Sequence, residues 1–413
     1  MVSQSDYAWL SSQGGQVAWR LLLESATPHL GWIRSATSAQ NECANLVLVQ
    51  LLFARGKARA KVEDPYRWFW TKKLLEQASD EWTALETALD APPSASRWLD
   101  VCCGAGVDCV ALARRRPGVM GIDAHPIPLL LARANAIMNQ VDVELQECQA
   151  ETLSLEPNMY LNIDPDRRAD GKRTIDPIQS QPSWSWIAHA VRRCAAVSLK
   201  LAPGLRARDD FDWGEAGEPH AMRWLSWHGE VRQQRWYWGT DRWPQGTRIA
   251  SAGSRTEGWH HEIFPSHSTR ASTSMPQAID DVSLLASGYV ADQDPVVRAA
   301  SLGDLLADRL GIRCLGDRNG YCHASRPVHH PMLRWFHIID VLPLDARKIR
   351  ATARRMSARH WELKSRGVDL DLDAMQRQLP TDSASDQRFA ILFTRLGKKH
   401  IAIFAQRQER ELA

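Results

Sequence analysis

Carboxylates set beside glycines form the most informative pattern in this chain. Leu99-Asp-Val-Cys-Cys-Gly-Ala-Gly-Val-Asp108 puts Asp100 and Asp108 on either side of a turn built on Gly104 and Gly106. Glycine lets the backbone turn tightly and lets a ligand come close. A dinucleotide site needs a third glycine where this chain has Cys109, and two carboxylates at the turn disfavour a pyrophosphate. They suit a ligand that carries a sulfonium and an amino group. Asp108 is also placed to cap the helix that follows. Asp123, 17 residues after Gly106, ends a predicted strand. A carboxylate there can accept from both hydroxyls of a ribose. Ala124 adjoins it, and Ala150-Glu151 follows the next strand, where an adenine edge belongs.

A second group belongs to the acceptor side. Ile163-Asp-Pro-Asp-Arg-Arg168 and Gly171-Lys-Arg173 follow a fourth predicted strand, and ligands of open α/β sheets bind beyond the carboxyl ends of strands. Asp164 can accept a hydrogen bond from a substrate amine, with Pro165 holding the turn rigid. Arg167, Arg168 and Arg173 could hold a phosphate backbone, or pair with Asp166, Asp170 and Asp176 as a structural network. Lys200, late on a fifth strand, faces the same cleft or serves as an ion-pair partner. No metal site is expected. None of the eight cysteines forms a Cys-x-x-Cys pair, and His260-His261 and His329-His330 lack a third ligand at useful spacing. Cys102-Cys103 read as packing residues on opposite strand faces.

These residues require strands to position them. Arg97–Cys103, Val119–Asp123, Val141–Leu145, Met159–Ile163 and Ala195–Leu201 read as strands. Asp108–Arg116 and Pro128–Met138 read as helices between them. Such alternation predicts an α/β, doubly wound parallel sheet. Alternation from Met222 to Trp238 around Gly229 predicts a hairpin on the sheet's edge. Residues 16–88 carry apolar positions at helical spacing, and Ala91–Ser96 reads as a linker. No element is placed over 240–280, and a helix is expected over Val296–Leu310. Trp335–Arg407 reads strand–helix–strand–helix–strand–strand, and its helix Asp345–Ala358 carries Arg347, Lys348, Arg350, Arg354 and Arg355. The segments are a helical region 1–90, an α/β domain 91–240, a small mixed unit 241–328 and an α+β domain 329–413.

With 44% hydrophobic and 24% charged residues, the chain has a globular balance. Its net charge of +3 does not by itself call for a polyanion. From Pro331 onward, however, 16 Lys/Arg face 10 Asp/Glu, which leaves the rest at −3. A basic C-terminal domain on an acidic body is compatible with a polyanionic partner. No apolar run is long enough to span a bilayer and no secretory pattern opens the chain, so a cytoplasmic protein is expected. Eighteen tryptophans, seven of them between Trp213 and Trp259, fill cores more readily than they stack on bases.

Asp100–Gly106 and Gly121-Ile-Asp123 resemble the glycine and acidic motifs of class I methyltransferases. Ala58-Arg-Ala-Lys61, Trp70-Thr-Lys-Lys-Leu-Leu-Glu-Gln-Ala78, Asp164-Pro-Asp-Arg-Arg168, Lys200-Leu-Ala-Pro-Gly204 and Trp361-Glu-Leu-Lys-Ser-Arg-Gly-Val-Asp369 narrow this. They resemble bacterial methyltransferases with a C-terminal THUMP-like domain, and more distantly trimethylguanosine synthase. The resemblance implies S-adenosylmethionine as cofactor. It also implies a Rossmann-like sheet preceded by a helical segment that closes the cofactor pocket, so that Trp70 and Thr71 meet the methionine end. The implied cofactor contacts are Thr71, Asp100, Cys102, Gly104, Gly106, Asp108, Asp123, Ala124, Ala150 and Glu151. Asp164-Pro165 resembles the (Asn/Asp)-Pro-Pro-aromatic motif of amino-methylating enzymes, with Arg167 at the aromatic position. True THUMP domains bind RNA, which extends the substrate contacts to Lys364 and Arg366. The family's first turn usually has a glycine where this chain has Val107, a residue that disfavours a positive φ. Competing readings are methylation of a small molecule or protein, and a non-catalytic RNA-binding scaffold.

Overall fold

The protein is described by a computed structural model. It covers residues 4–12, 50, 52–54, 56–166, 168–169, 172–173, 176–205, 212–265, 279, 281–285, 287–316 and 320–408. The helical reading of 16–49 and the placement of Arg167 lie outside these residues, as do the side chains of Arg168 and Arg173. Two compact units result. One is Met1–Trp227 with Arg232–Thr247, and the other is His228–Val231 with Arg248–Ala413.

The first unit holds helices α1 (Gln4–Leu10), α2 (Lys72–Gln77), α3 (Glu81–Ala88), α4 (Val107–Ala113), α5 (Pro126–Met138) and α6 (Trp184–Arg193). Its main strands are β1 (Arg97–Val101), β2 (Val119–Asp123), β3 (Val143–Glu147), β4 (Met159–Ile163), β7 (Ala196–Leu201), β8 (Ala221–Trp227) and β9 (Glu230–Trp238). Two two-residue strands, β5 (Arg168–Ala169) and β6 (Lys172–Arg173), form a separate small ribbon. The main strands run in the order β8-β9-β7-β4-β1-β2-β3. β3, β2, β1, β4 and β7 are parallel, and β9 joins β7 antiparallel.

Period-two alternation sends each strand's side chains to two cores. Trp98 and Tyr160 pack with α3, α4 and α5 on one face, while Leu99, Val101, Leu161 and Ile163 pack with α6 on the other. The strand order reverses between β1 and β4, and ligands of open α/β sheets bind at such a switch point. Ala91 and Ala95, in the stretch read as a linker, are buried in the first of these cores. The tryptophans of the β8–β9 hairpin are also core residues: Trp224 and Trp236 are fully buried, and Trp213 meets Trp236 edge-on at 4.7 Å.

One buried amide ties the N-terminal segment to this frame. Asn135 Oδ1 on α5 accepts from the Phe69 N–H (2.6 Å), and its Nδ2 donates to the carbonyls of Phe69 (3.1 Å) and Ala105 (2.9 Å). The segment before α2 is thereby fastened to the turn after β1.

The second unit opens with a hairpin, β10 (Thr247–Ser254) and β11 (Gly258–Phe264), in the stretch where sequence placed no element. Then come β12 (Tyr289–Gln293), α7 (Pro295–Ala299), α8 (Gly303–Arg309), β13 (Arg313–Cys314), β14 (Tyr321–Ala324), β15 (Leu333–Pro343), α9 (Ala346–Met356), β16 (His360–Ser365), α10 (Leu372–Gln378), β17 (Arg388–Leu396) and β18 (Lys399–Arg407). The seven-stranded sheet has the order β13-β14-β12-β15-β18-β17-β16. α9 and α10 cover the face that carries Trp361, Ile391, Phe393 and Phe404, while Leu392 and Ile403 point to the opposite core. The helix expected over Val296–Leu310 is two helices. Ser301 adopts a left-handed φ of 54° between them, and Asp294 caps the first by accepting from the Val296 N–H.

Asn135→Ala removes three hydrogen bonds and leaves buried backbone groups without partners. We expect about 2–4 kcal/mol of destabilisation, read as a lower denaturant midpoint with an unchanged slope.

Candidate active site

The turn after β1 has the geometry that its glycines require. Gly104 (φ 55°) and Gly106 (φ 83°) are both left-handed, and Cys102 shares that conformation at φ 62°. At Gly106 a Cβ would lie 3.0 Å from Ala132 Cβ and 3.2 Å from Ala132 Cα. That glycine therefore sets the contact between the turn and α5 as well as the turn itself. Val107 needs no glycine, because it is the first residue of α4 and lies outside the left-handed region. The cap of α4 is Gly106 rather than Asp108, which sits inside the helix and turns its carboxylate elsewhere.

A cavity of about 790 Å³ opens at this switch point. Thr71, Cys102, Gly104, Asp108, Asp123, Ala124, Ala150 and Glu151 line it, and Asp164 and Pro165 line it as well. Asp123, at the end of β2, is held by two backbone donors, Gly104 N–H (3.1 Å) and His125 N–H (3.0 Å). Burial raises its carboxyl above the usual range, and these donors oppose the shift. Thr71 caps α2 by accepting from the Leu74 N–H at 3.1 Å, and α2 forms one wall through Lys73, Leu74 and Glu76. Trp70 is fully buried and stacks on Trp68 at 5.8 Å, outside the lining.

Asp100, Gly106 and Lys200 are absent from the lining and sit behind it. Asp100 is 1% exposed. Its Oδ1 accepts from Asn162 Nδ2 (2.7 Å), and its Oδ2 has no partner. Burial, then the neighbouring Asp108 charge, push its carboxyl well up. Asp108 behaves oppositely. Burial alone would raise it, but Lys200 and Arg235 outweigh burial and hold it below the ordinary carboxylate value.

These groups form one buried network. Arg235, on β9 and 0% exposed, donates to Asp108 Oδ1 (2.7 Å), to Ser198 Oγ (3.3 Å) and to Asn162 Oδ1. Ser79 Oγ donates to Asp108 Oδ2 and accepts from Lys200 Nζ at 2.6 Å. Lys200 also donates to Asp164 Oδ2 at 2.7 Å. The chain Asp164–Lys200–Ser79–Asp108–Arg235–Asn162–Asp100 thus links the cavity wall to the residues behind it. Lys200 is an ion-pair partner here. Ser79, Asn162 and Arg235 escaped the sequence reading. The available signal was one arginine directly before the aromatic run Trp236-Tyr-Trp238.

The remaining basic candidates lie elsewhere. Arg168 and Arg173 face each other across the β5–β6 ribbon. In the second unit, Lys364 and Arg366 are ion-paired to the buried Asp292 at 2.8 and 3.3 Å. Both are partly buried and engaged in ion pairs. Among the described residues no group of three or more metal-ligating side chains occurs, and no helix is long and apolar enough to cross a membrane.

The parallel sheet, the glycine turn and the acidic cavity define a class I methyltransferase fold. Residues 333–407 match the family described as THUMP domain-like. The chain is 26% identical over 349 residues to uncharacterized S-adenosylmethionine-dependent methyltransferases of two Mycobacterium tuberculosis strains, covering 83% of this chain and 90% of theirs. A crystal structure of a candidate methyltransferase from Porphyromonas gingivalis W83 shares the fold over 98% of both chains, with a TM-score of 0.67 at 16% identity. The chain thus has the class I methyltransferase fold, and its residues 333–407 match the THUMP-like family.

Arg235→Met would leave the buried Asp108 without its direct ion-pair partner and cost about 3–5 kcal/mol, measured by chemical denaturation. Asp108 also predicts an acid-side slope. Its folded pKa is depressed, so its stabilisation is present above the unfolded carboxylate pKa and is lost as pH falls through the lower folded value. Asp108→Asn should remove that slope from the stability–pH profile.

Proposed function

We propose that this enzyme transfers a methyl group from S-adenosylmethionine to a base nitrogen in RNA. The observation that carries the reading is the single cavity lined by both Asp123 and Asp164-Pro165. Its residues suit the cofactor. Asp123 would hold the ribose hydroxyls, Ala124 would adjoin that contact, and Ala150 and Glu151 would meet the adenine. Thr71, Cys102, Gly104 and Asp108 would surround the methionine end, with Gly106 and Asp100 shaping the turn from behind. A carboxylate-lined wall attracts a sulfonium and an ammonium and repels a pyrophosphate. Bound there, the cofactor supplies an activated methyl group for in-line displacement.

The protein's own part is orientation and proton handling. Asp164 lines the cavity; Lys200 fixes its Oδ2, and its Oδ1 has no hydrogen-bond partner among the described residues. That oxygen would accept an N–H from an exocyclic amine, align its lone pair and take a proton after transfer. Pro165 fixes the turn that presents it. RNA is supported by α9, which exposes Arg347, Lys348, Arg354 and Arg355 and contains no acidic residue. Arg168 and Arg173 would add phosphate contacts near the acceptor, together with Arg167. The seven described cysteines are all free, which supports a reducing, cytoplasmic setting.

The test is transfer of labelled methyl from the cofactor to total RNA. We expect label that ribonuclease releases. Asp164→Asn should slow incorporation about 10²-fold or more, with cofactor affinity unchanged. Label found only in protein or in small molecules would contradict an RNA substrate.

A further inference from the structure

In the second unit one partly buried cation, Arg298, has no carboxylate paired to it among the described residues. The unit's sheet brings Lys364 and Arg366, at the β16 end, to Asp292 on β12. Glu362 answers Lys364 at 3.4 Å and the exposed Arg407 at 3.9 Å. Asp294 caps α7. Arg298, half-buried on α7, has neither an ion-pair partner nor a hydrogen bond among the described residues. Its stem lies against Gly320, where a Cβ would come within 2.1 Å of Arg298 Cδ. The next residue, Tyr321, stands directly opposite Asp292 in the β12–β14 ladder, and the Arg366 guanidinium lies 5.9 Å from its ring.

Among the described residues, three donors in this cluster are buried and without a hydrogen bond: Arg298 Nε, Arg366 Nε and the hydroxyl of Tyr321, a residue 0% exposed; Asp292 Oδ1 also lacks a hydrogen bond but lies 3.3 Å from the Arg366 guanidinium. Each unmatched buried donor costs about 1–3 kcal/mol, and native proteins answer such groups with a water or an ion. A cation without a paired carboxylate selects an anion over water. Guanidinium groups beside a hydroxyl match the several acceptor oxygens of a phosphate. We propose that Arg298, Arg366 and the Tyr321 hydroxyl form an oxyanion site that takes a phosphate group. Asp292 holds Arg366 in place and keeps the site selective for strong acceptors. Burial and the like charge of Arg366 also pull Arg298 below the ordinary arginine value, a strain that an anion relieves. The site is independent of the methyl-transfer reading.

The test is thermal unfolding of the full chain at low ionic strength, without and with millimolar inorganic phosphate. Phosphate should raise the melting temperature by about 2–4 °C. Arg298→Gln should lose that shift. Without phosphate it should melt no lower than the parent, because an unmatched cation has gone. Tyr321→Phe should keep the fold and weaken the shift. Short RNAs with and without a 5′-phosphate identify the source. Competition by the phosphorylated RNA alone assigns a terminal phosphate, equal competition assigns the backbone, and no competition assigns free phosphate. An equal shift in Arg298→Gln would reflect a general salt effect and overturn the site. So would no shift in the parent, or a lower melting temperature of Arg298→Gln without phosphate.

Discussion

A charge buried in protein must be answered by another, and the first unit is organised around that constraint. Arg235 lies in the interior of β9, and its guanidinium is compatible with folding because Asp108, Asn162 and Ser198 receive it. Asp108 in turn depends on Ser79, and Ser79 on Lys200. The elements that carry these residues are brought together by the same contacts that assemble the cavity. β9 is held to the parallel sheet, α4 is fixed over β1, and the segment between α2 and α3 is drawn onto β7. The geometry of the cavity and the fold therefore share one set of interactions.

That arrangement separates the carboxylates by environment. Lys200 and Arg235 hold Asp108 on α4 below the ordinary carboxylate value, while burial pushes Asp100 on β1 well above it. Asp123 and Asp164 reach the cavity from different strand ends, the first held by backbone N–H groups and the second by Lys200. Such division of similar groups by their surroundings is how a single fold assigns binding and proton-handling roles.

The strands were legible because local pattern determines them. β2 and β4 begin and end where the apolar runs do, and the order of elements in the THUMP-like region follows from periodicity alone. The glycine turn and Asp123 were legible because their chemistry is local too. Arg235 was not, since its partner Asp108 is 127 residues away and only the folded sheet joins them. The split between α7 and α8 depends on one left-handed serine, a conformation that composition does not announce. Lys364 and Arg366 look like surface charges in a sequence. They become partly buried ion-pair partners only because the folded sheet brings them to Asp292. The β10–β11 hairpin was hidden by a composition rich in Gly, Ser and His, whose small and polar residues mask alternation.

The central claim is that the acidic cavity at the β1–β4 switch point holds S-adenosylmethionine through Asp123. Isothermal titration of the full chain with the cofactor, beside Asp123→Ala, tests it most directly. The account predicts saturable one-to-one binding by the parent chain and its loss in the variant, with the variant's fold unchanged by circular dichroism. Equal binding by both proteins, or none by the parent chain, would contradict it.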